Sequence, residues 1–277
     1  MPLIRIDDVQ IEYLWAGPDR GAPPPLVFLH EGLGCAALWR DVPEAIAART
    51  GRRALAFSRR GYGDSDPAPL PRPVSFMHDE AHGPLPALLD ALAVERPILV
   101  GHSDGASIAL IHAATRPEHV TALVLEAPHV FVEDCSVASI ARMKVSYETT
   151  DLKARMAKYH GDNTECAFRG WNDVWLDPAF RAWNIEAYLP RVTCPVLVIQ
   201  GQEDEYGTIA QVEALTRQVA GPVETLLLRD CGHSPHRDQR EATTRAIVDF
   251  VIRVTGGGKT APRRRPSTSG DSPAPTP

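Results

Sequence analysis

The sequence predicts an α/β fold: a mostly parallel, doubly wound sheet with helices on both faces. Short, uninterrupted apolar runs recur along the chain, each closed by a polar or glycine-bearing loop, as strands buried on both faces of a parallel sheet do. Stretches of helical length lie between them, and this alternation builds βαβ units. Ligands of such sheets bind beyond the carboxyl ends of the strands. Functional residues are therefore expected in the loops that follow the apolar runs.

Taken in order, 26–29 (LVFL), 53–57 (RALAF), 98–100 (ILV), 122–125 (ALVL) and 196–199 (VLVI) are read as strands, with 223–228 as a further one. Helices are expected over 82–92, 107–115, 209–219 and 240–251. From 129 to 193 the alternation stops and the chain becomes helix-rich and aromatic, with Trp171, Trp175 and Trp183 among its residues. This segment is expected to be a helical cap on a core formed by 1–128 and 194–255. Its aromatics are read chiefly as packing between cap and core. The end, 256–277, is rich in glycine, proline and serine and is expected to be a disordered tail, with Arg263, Arg264 and Arg265 solvated.

The chain has 277 residues, 44% hydrophobic and 23% charged, enough for one large α/β domain with a sizeable core. A net charge of −6 gives no electrostatic reason to expect nucleic acid or an anionic membrane as partner. The expected partner is a small-molecule substrate, with self-association into a homo-oligomer left open. Five cysteines, odd in number, widely spaced and without a C-x-x-C pair, read as reduced thiols. The N-terminus lacks the apolar core of a signal peptide, and no run approaches the roughly 18 residues of a membrane span. A cytoplasmic protein is expected.

The chemistry centres on Gly101-His102-Ser103-Asp104-Gly105, between the apolar run 97–100 and a helix. A serine hydroxyl is a weak nucleophile that needs exposure, a base and a place for the developing oxyanion. The pattern G-x-S-x-G supplies exposure by a sharp strand-to-helix turn, and the helix start adds amides and a dipole that favour negative charge. The partners of such a serine follow as acid, then histidine. Asp204, after the run 195–200, is assigned as the orienting acid, and His233, after 223–228, as the general base. Glu203 and Glu205 are the competing acids, and His236 is the competing base. The oxyanion is assigned to the backbone amides of Asp104 and of Gly32, in the loop after 26–29.

These motifs resemble the α/β-hydrolase family over about residues 3–254. Its early His-Gly motif with a following tryptophan looks like His30 through Trp39, and its Arg-Gly-x-Gly-x-Ser motif matches Arg60 through Ser65. The elbow, the acid loop at Gly201 to Asp204 and the histidine loop at Gly232-His233 follow in the family's order. The resemblance implies a helical cap inserted after the sixth strand, no cofactor, and a serine hydrolase acting on a small-molecule carboxylic ester or thioester through an acyl-enzyme. Relatives that cleave carbon–carbon bonds of vinylogous diketones supply one alternative. That activity calls for a cation such as Arg142, Lys144 or Arg169 facing the substrate. A hydrolase-like ligand-binding protein with little turnover is the other. Members with an aspartate nucleophile act on epoxides or carbon–halogen bonds, and Ser103 argues against those.

One departure stands out. Glu31 occupies the position where many members carry glycine, and a carboxylate aimed at the hole would oppose an oxyanion. Glu31 is expected to be paired, with Arg59 or Arg60 as partner, or to receive a polar group of the substrate. Glu31, His102, Arg142, Trp171 and Trp175 are the candidate pocket residues. His78 and His82 stand four apart, but the order of a zinc helix is broken, so no metal is expected. The run Gly61 to Asp66 lacks the last glycine of a dinucleotide fingerprint.

Overall fold

The structure, a computed structural model, describes residues 1–19 and 21–256. The tail expected over 256–277 lies, from residue 257 on, outside the described residues.

The chain opens with an antiparallel hairpin, β1 (Leu3–Ile6) and β2 (Val9–Ala16). Neither strand is among the apolar runs. The hairpin lies at the sheet edge, so polar residues such as Arg5, Gln10 and Glu12 alternate with apolar ones. The sheet continues through β3 (Leu26–Leu29), β4 (Ala54–Phe57), β5 (Ile98–His102) and β6 (Ala122–Glu126), every residue of which is buried. Helices α1 (Val42–Thr50), α2 (Phe76–His82), α3 (Pro84–Ala91) and α4 (Asp104–Thr115) connect them. After β6 come α5 (Asp134–Thr149), α6 (Leu152–His160) and α7 (Thr164–Trp175) with short 3-10 turns. The chain then returns through β7 (Val196–Gly201), α8 (Ile209–Gln218), β8 (Val223–Leu228), α9 (Pro235–Asp238) and α10 (Arg240–Thr255).

The helix expected over 82–92 is in fact two, since α2 ends at His82 and α3 starts at Pro84. Pro84 has no N–H to extend α2, whereas the first position of a new helix needs none. Gly83 takes the intervening bend.

The strand order is β1-β2-β4-β3-β5-β6-β7-β8, parallel from β4 onward. Alternate strand residues feed two cores. Val27, Leu29, Leu99 and Leu125 face α2, α4 and the helices after β6, while Leu26, Phe28, Ile98 and Val124 face α1 and α10. Burying each such side chain contributes about 1.5–3 kcal/mol, which fixes the register of every central strand. The chain reverses direction across the sheet between β3 and β5. Such a reversal opens a crevice at the strands' carboxyl ends, and the loops after β3 and β5 both enter it.

Candidate active site

Ser103 follows β5 directly and has a φ of +54°, a left-handed conformation for a residue with a side chain. That turn lifts the hydroxyl off the strand axis. The flanking glycines are needed for space: a Cβ on Gly101 would lie 2.5 Å from the Gly105 carbonyl oxygen, and one on Gly105 would lie 2.1 Å from that of Leu29. The elbow is thus pressed against its own helix and against β3.

Nε2 of His233 lies 2.9 Å from the Ser103 hydroxyl, and its Nδ1 lies 2.9 Å from both carboxylate oxygens of Asp204. An ionised Asp204 only accepts, so Nδ1 carries the hydrogen and Nε2 is free to accept from Ser103. Asp204 also accepts from the amides of Tyr206 and Gly207 and from the Gln200 side chain. Burial pushes the Asp204 carboxyl up, but the His233 hydrogen bond and charge outweigh it and leave the group below its usual range. Two of the competing residues, Glu203 and His236, have other partners. Glu203 accepts from the Cys231 amide, and His236 is buried with its Nδ1 2.8 Å from Glu126.

The loop after β3 is held from beneath. Arg59 donates to the carbonyl oxygens of both His30 and Glu31, and its own amide donates to His30 Nε2. The N–H groups of Gly32 and Asp104 make no hydrogen bond among the described residues. The expected pairing of the Glu31 side chain with Arg59 or Arg60 is corrected. Arg59 is spent on main-chain carbonyls, and Arg60 donates to the Pro67 carbonyl. The Glu31 carboxylate instead lies 3.6 Å from His102 Nδ1 and 3.8 Å from Arg237. Burial opposes ionisation of Glu31, yet His102 and Arg237 together hold it well below the usual carboxylate range. His102 is raised despite its burial, by Glu31 and Glu126.

Asp104 is wholly buried. One carboxyl oxygen accepts from Trp175 Nε1 at 3.1 Å, the other has no partner, and burial raises its pKa.

A cavity of about 360 Å³ opens over Ser103 and His233. Glu31, His102, Trp171 and Trp175 line it as expected. Arg142 does not: it is exposed and donates to Ser139, because α5 turns its Ser136, Ser139 and Ile140 face inward. Lys144 is likewise exposed, and Arg169 pairs with Asp173 at the surface. His129, Tyr206 and Arg237 line the cavity without having been expected from the sequence. They reach it from the loops after β6 and β7 and from α9, and no local pattern marks them.

A serine at a strand-to-helix elbow, with histidine and aspartate on later loops of the same sheet edge, defines the class of α/β proteins built around a nucleophile elbow. The chain belongs to the α/β-hydrolase fold family, whose sequence model matches residues 24–165. It is 28% identical to the serine hydrolase BPHL of Homo sapiens over 205 residues, which cover 71% of this chain and 68% of that protein. It is 39% identical to epoxide hydrolase 2 of Siraitia grosvenorii over 106 residues, 38% of this chain and 32% of that one. The chain thus spans about a third of the length of the first curated relatives it matches. Among solved structures, the enol-lactonase of Burkholderia xenovorans LB400 has the same fold, with a TM-score of 0.71 and 20% identity, covering 91% of this chain and 100% of that one. Among the described residues no helix is long and apolar enough to cross a membrane.

Proposed function

We propose that this protein is a serine hydrolase that cleaves a small-molecule carboxylic ester, with thioesters within reach of the same chemistry. The observation that carries this reading is the unbroken series from Ser103 through His233 to Asp204, with 2.9 Å at each contact to the imidazole. His233 takes the Ser103 proton as the oxygen attacks the carbonyl carbon, and Asp204 holds the imidazole tautomer and balances its charge. The Gly32 and Asp104 amides receive the oxyanion. The acyl-enzyme forms as the alcohol leaves with a proton from His233, which then activates water to release the acid. Residues 129–193 act in this reading as a cap over a core of 1–128 and 194–255. The five free cysteines fit a reducing compartment, and the cytoplasm is the proposed location.

An ester fits the cavity better than an acidic diketone. The cap cations Arg142, Lys144 and Arg169 are not in its lining, and Arg237 is matched by Glu31 while Glu205 and Asp238 add negative charge to the lining. The human relative's designation as a serine hydrolase supports the serine nucleophile and does not choose between the two bonds.

The test is labelling by a fluorophosphonate probe together with turnover of p-nitrophenyl acetate. Wild type is expected to label and to turn over with an acyl-enzyme burst, and Ser103→Ala and His233→Ala to lose turnover by several orders of magnitude. A wild type that neither labels nor turns over overturns the reading in favour of a ligand-binding protein.

A further inference from the structure

His129 stands in the cavity with no part in the steps above, and its placement is built rather than incidental. It follows β6 after Ala127, which has a φ of +46°, so a left-handed turn brings the chain into the site. Its carbonyl accepts from the Ser107 hydroxyl, and the next amide, of Val130, donates to the buried side chain of Gln211. The backbone is clamped on both sides. The ring lies 5.6 Å from that of His233 and 5.1 Å from that of Trp175, centroid to centroid.

Its two nitrogens are not equivalent. Nδ1 is buried towards Gly207 and meets no partner among the described residues. Nε2 is not buried in this way, and we assign it as the nitrogen facing the cavity that His129 lines. A neutral imidazole carries one donor and one acceptor, and an orphaned N–H is the rarer buried group, so the hydrogen belongs on Nε2.

We propose that His129 is a substrate-binding residue that donates from Nε2 to an acceptor oxygen of the ester close to the scissile bond. The cavity then selects substrates with a hydroxyl, ether or second carbonyl oxygen there over plain alkyl esters. Burial, and then the charge of His233, pushes His129 down to about 3, so the ring stays a neutral donor through the working range of the site. This inference rests on the serine-hydrolase reading.

Two ester pairs test it, each exchanging one ether oxygen for a methylene at equal length: p-nitrophenyl methoxyacetate with the butyrate, and 2-methoxyethyl butyrate with butyl butyrate. Intrinsic reactivity differs within a pair but is common to all enzyme forms. The ratio of kcat/KM values compared between wild type and variant therefore isolates the contact. In His129→Phe the preference for the ether is expected to fall about tenfold in at least one pair, the worth of one neutral hydrogen bond. His129→Gln, whose amide reaches the place of Nε2, is expected to retain part of it. His129→Leu replaces the Phe variant if the latter does not melt cooperatively. Ratios that stay within about twofold in both pairs overturn the His129 proposal while leaving the hydrolase reading intact. A wild type that turns over none of the four esters overturns both.

Discussion

The side chain of His102 donates from Nε2 to the carbonyl oxygen of His233 at 2.6 Å. The residue before the elbow serine thus holds the backbone of the loop that carries His233, the proposed base. Its other nitrogen faces Glu31, next to the Gly32 amide. One buried ring therefore joins three loops: that after β3, the elbow, and the histidine loop after β8. It also accounts for the carboxylate that the sequence places beside the proposed oxyanion site, since Glu31 is turned towards His102 and Arg237.

The Glu31–His102 pair should give stability a defined pH window. His102 is raised in the fold, so its contribution is complete below its unfolded pKa of about 6.5 and is lost as pH rises through the folded value. Glu31 is depressed, so its contribution is complete above about 4.5 and is lost as pH falls through the folded value. Glu31→Gln is expected to destabilise the protein by about 1–2 kcal/mol near pH 6 and by less near pH 9. Urea unfolding at the two pH values measures this, and an equal loss at both would show that the pair is not charged.

The acid loop separates two neighbouring carboxylates by role. Asp204 bonds His233 directly, whereas Glu203 holds the Cys231 amide. Asp204→Asn is expected to lower kcat by about 10³–10⁴ with little change in melting temperature. Glu203→Gln is expected to alter kcat less than about tenfold. Stopped-flow acylation of both variants with an activated ester decides the assignment, and a reversal of the two effects would move the acid to Glu203.

The central strands were legible because they are buried on both faces: every residue of LVFL at 26–29 and of VLVI at 196–199 is covered. The elbow and the acid and histidine loops were legible because each needs particular residues at fixed spacing within a few positions. Arg142 was misplaced for a physical reason. The inward face of α5 includes Ser136 and Ser139, which bond the carbonyls of Tyr206 and Glu205, and buried serines hide the apolar period that would have shown which side faces the cavity. His129, Tyr206 and Arg237 converge only through the fold. Glu31 illustrates a further limit, as Arg59 and Arg60 of the neighbouring motif were the expected partners, while the true ones come from β5 and α9.

Asp104 is expected to make the protein less stable at neutral pH than an amide in its place. Its folded pKa is raised by burial, so wild type loses stability as pH rises past the unfolded value of about 3.9. Asp104→Asn keeps an acceptor for Trp175 Nε1 and does not titrate. It should melt about 2–4 °C higher than wild type at pH 7, an effect on the order of 1 kcal/mol, and the difference should vanish near pH 3. Labelling by the fluorophosphonate probe should persist, because the oxyanion donor assigned here is the backbone N–H. Calorimetry at both pH values checks the first part, and a lower melting point at pH 7 would mean that the ionised form is stabilised where it lies.

Gly32 tests the oxyanion loop through its packing. A Cβ there would lie 2.1 Å from Cδ1 and 2.2 Å from Nε1 of Trp171, so Gly32→Ala must displace either the indole of α7 or the loop itself. If the loop yields, the Gly32 amide leaves its place and kcat falls by about 10²–10³, the usual loss for one oxyanion donor. If the indole yields, KM changes and kcat stays. Trp171→Ala makes room for the methyl, so in the double variant a loop-borne loss should be largely restored relative to Gly32→Ala alone. We expect the loop to yield, because Trp171 is wedged in the core with Phe168, whereas the hydrogen bonds on the loop, from Arg59, His30, Gly34 and His160, hold the carbonyls of residues 30, 31 and 33 and not Gly32 itself. A double variant as slow as Gly32→Ala would show that the methyl acts by blocking the oxyanion position directly.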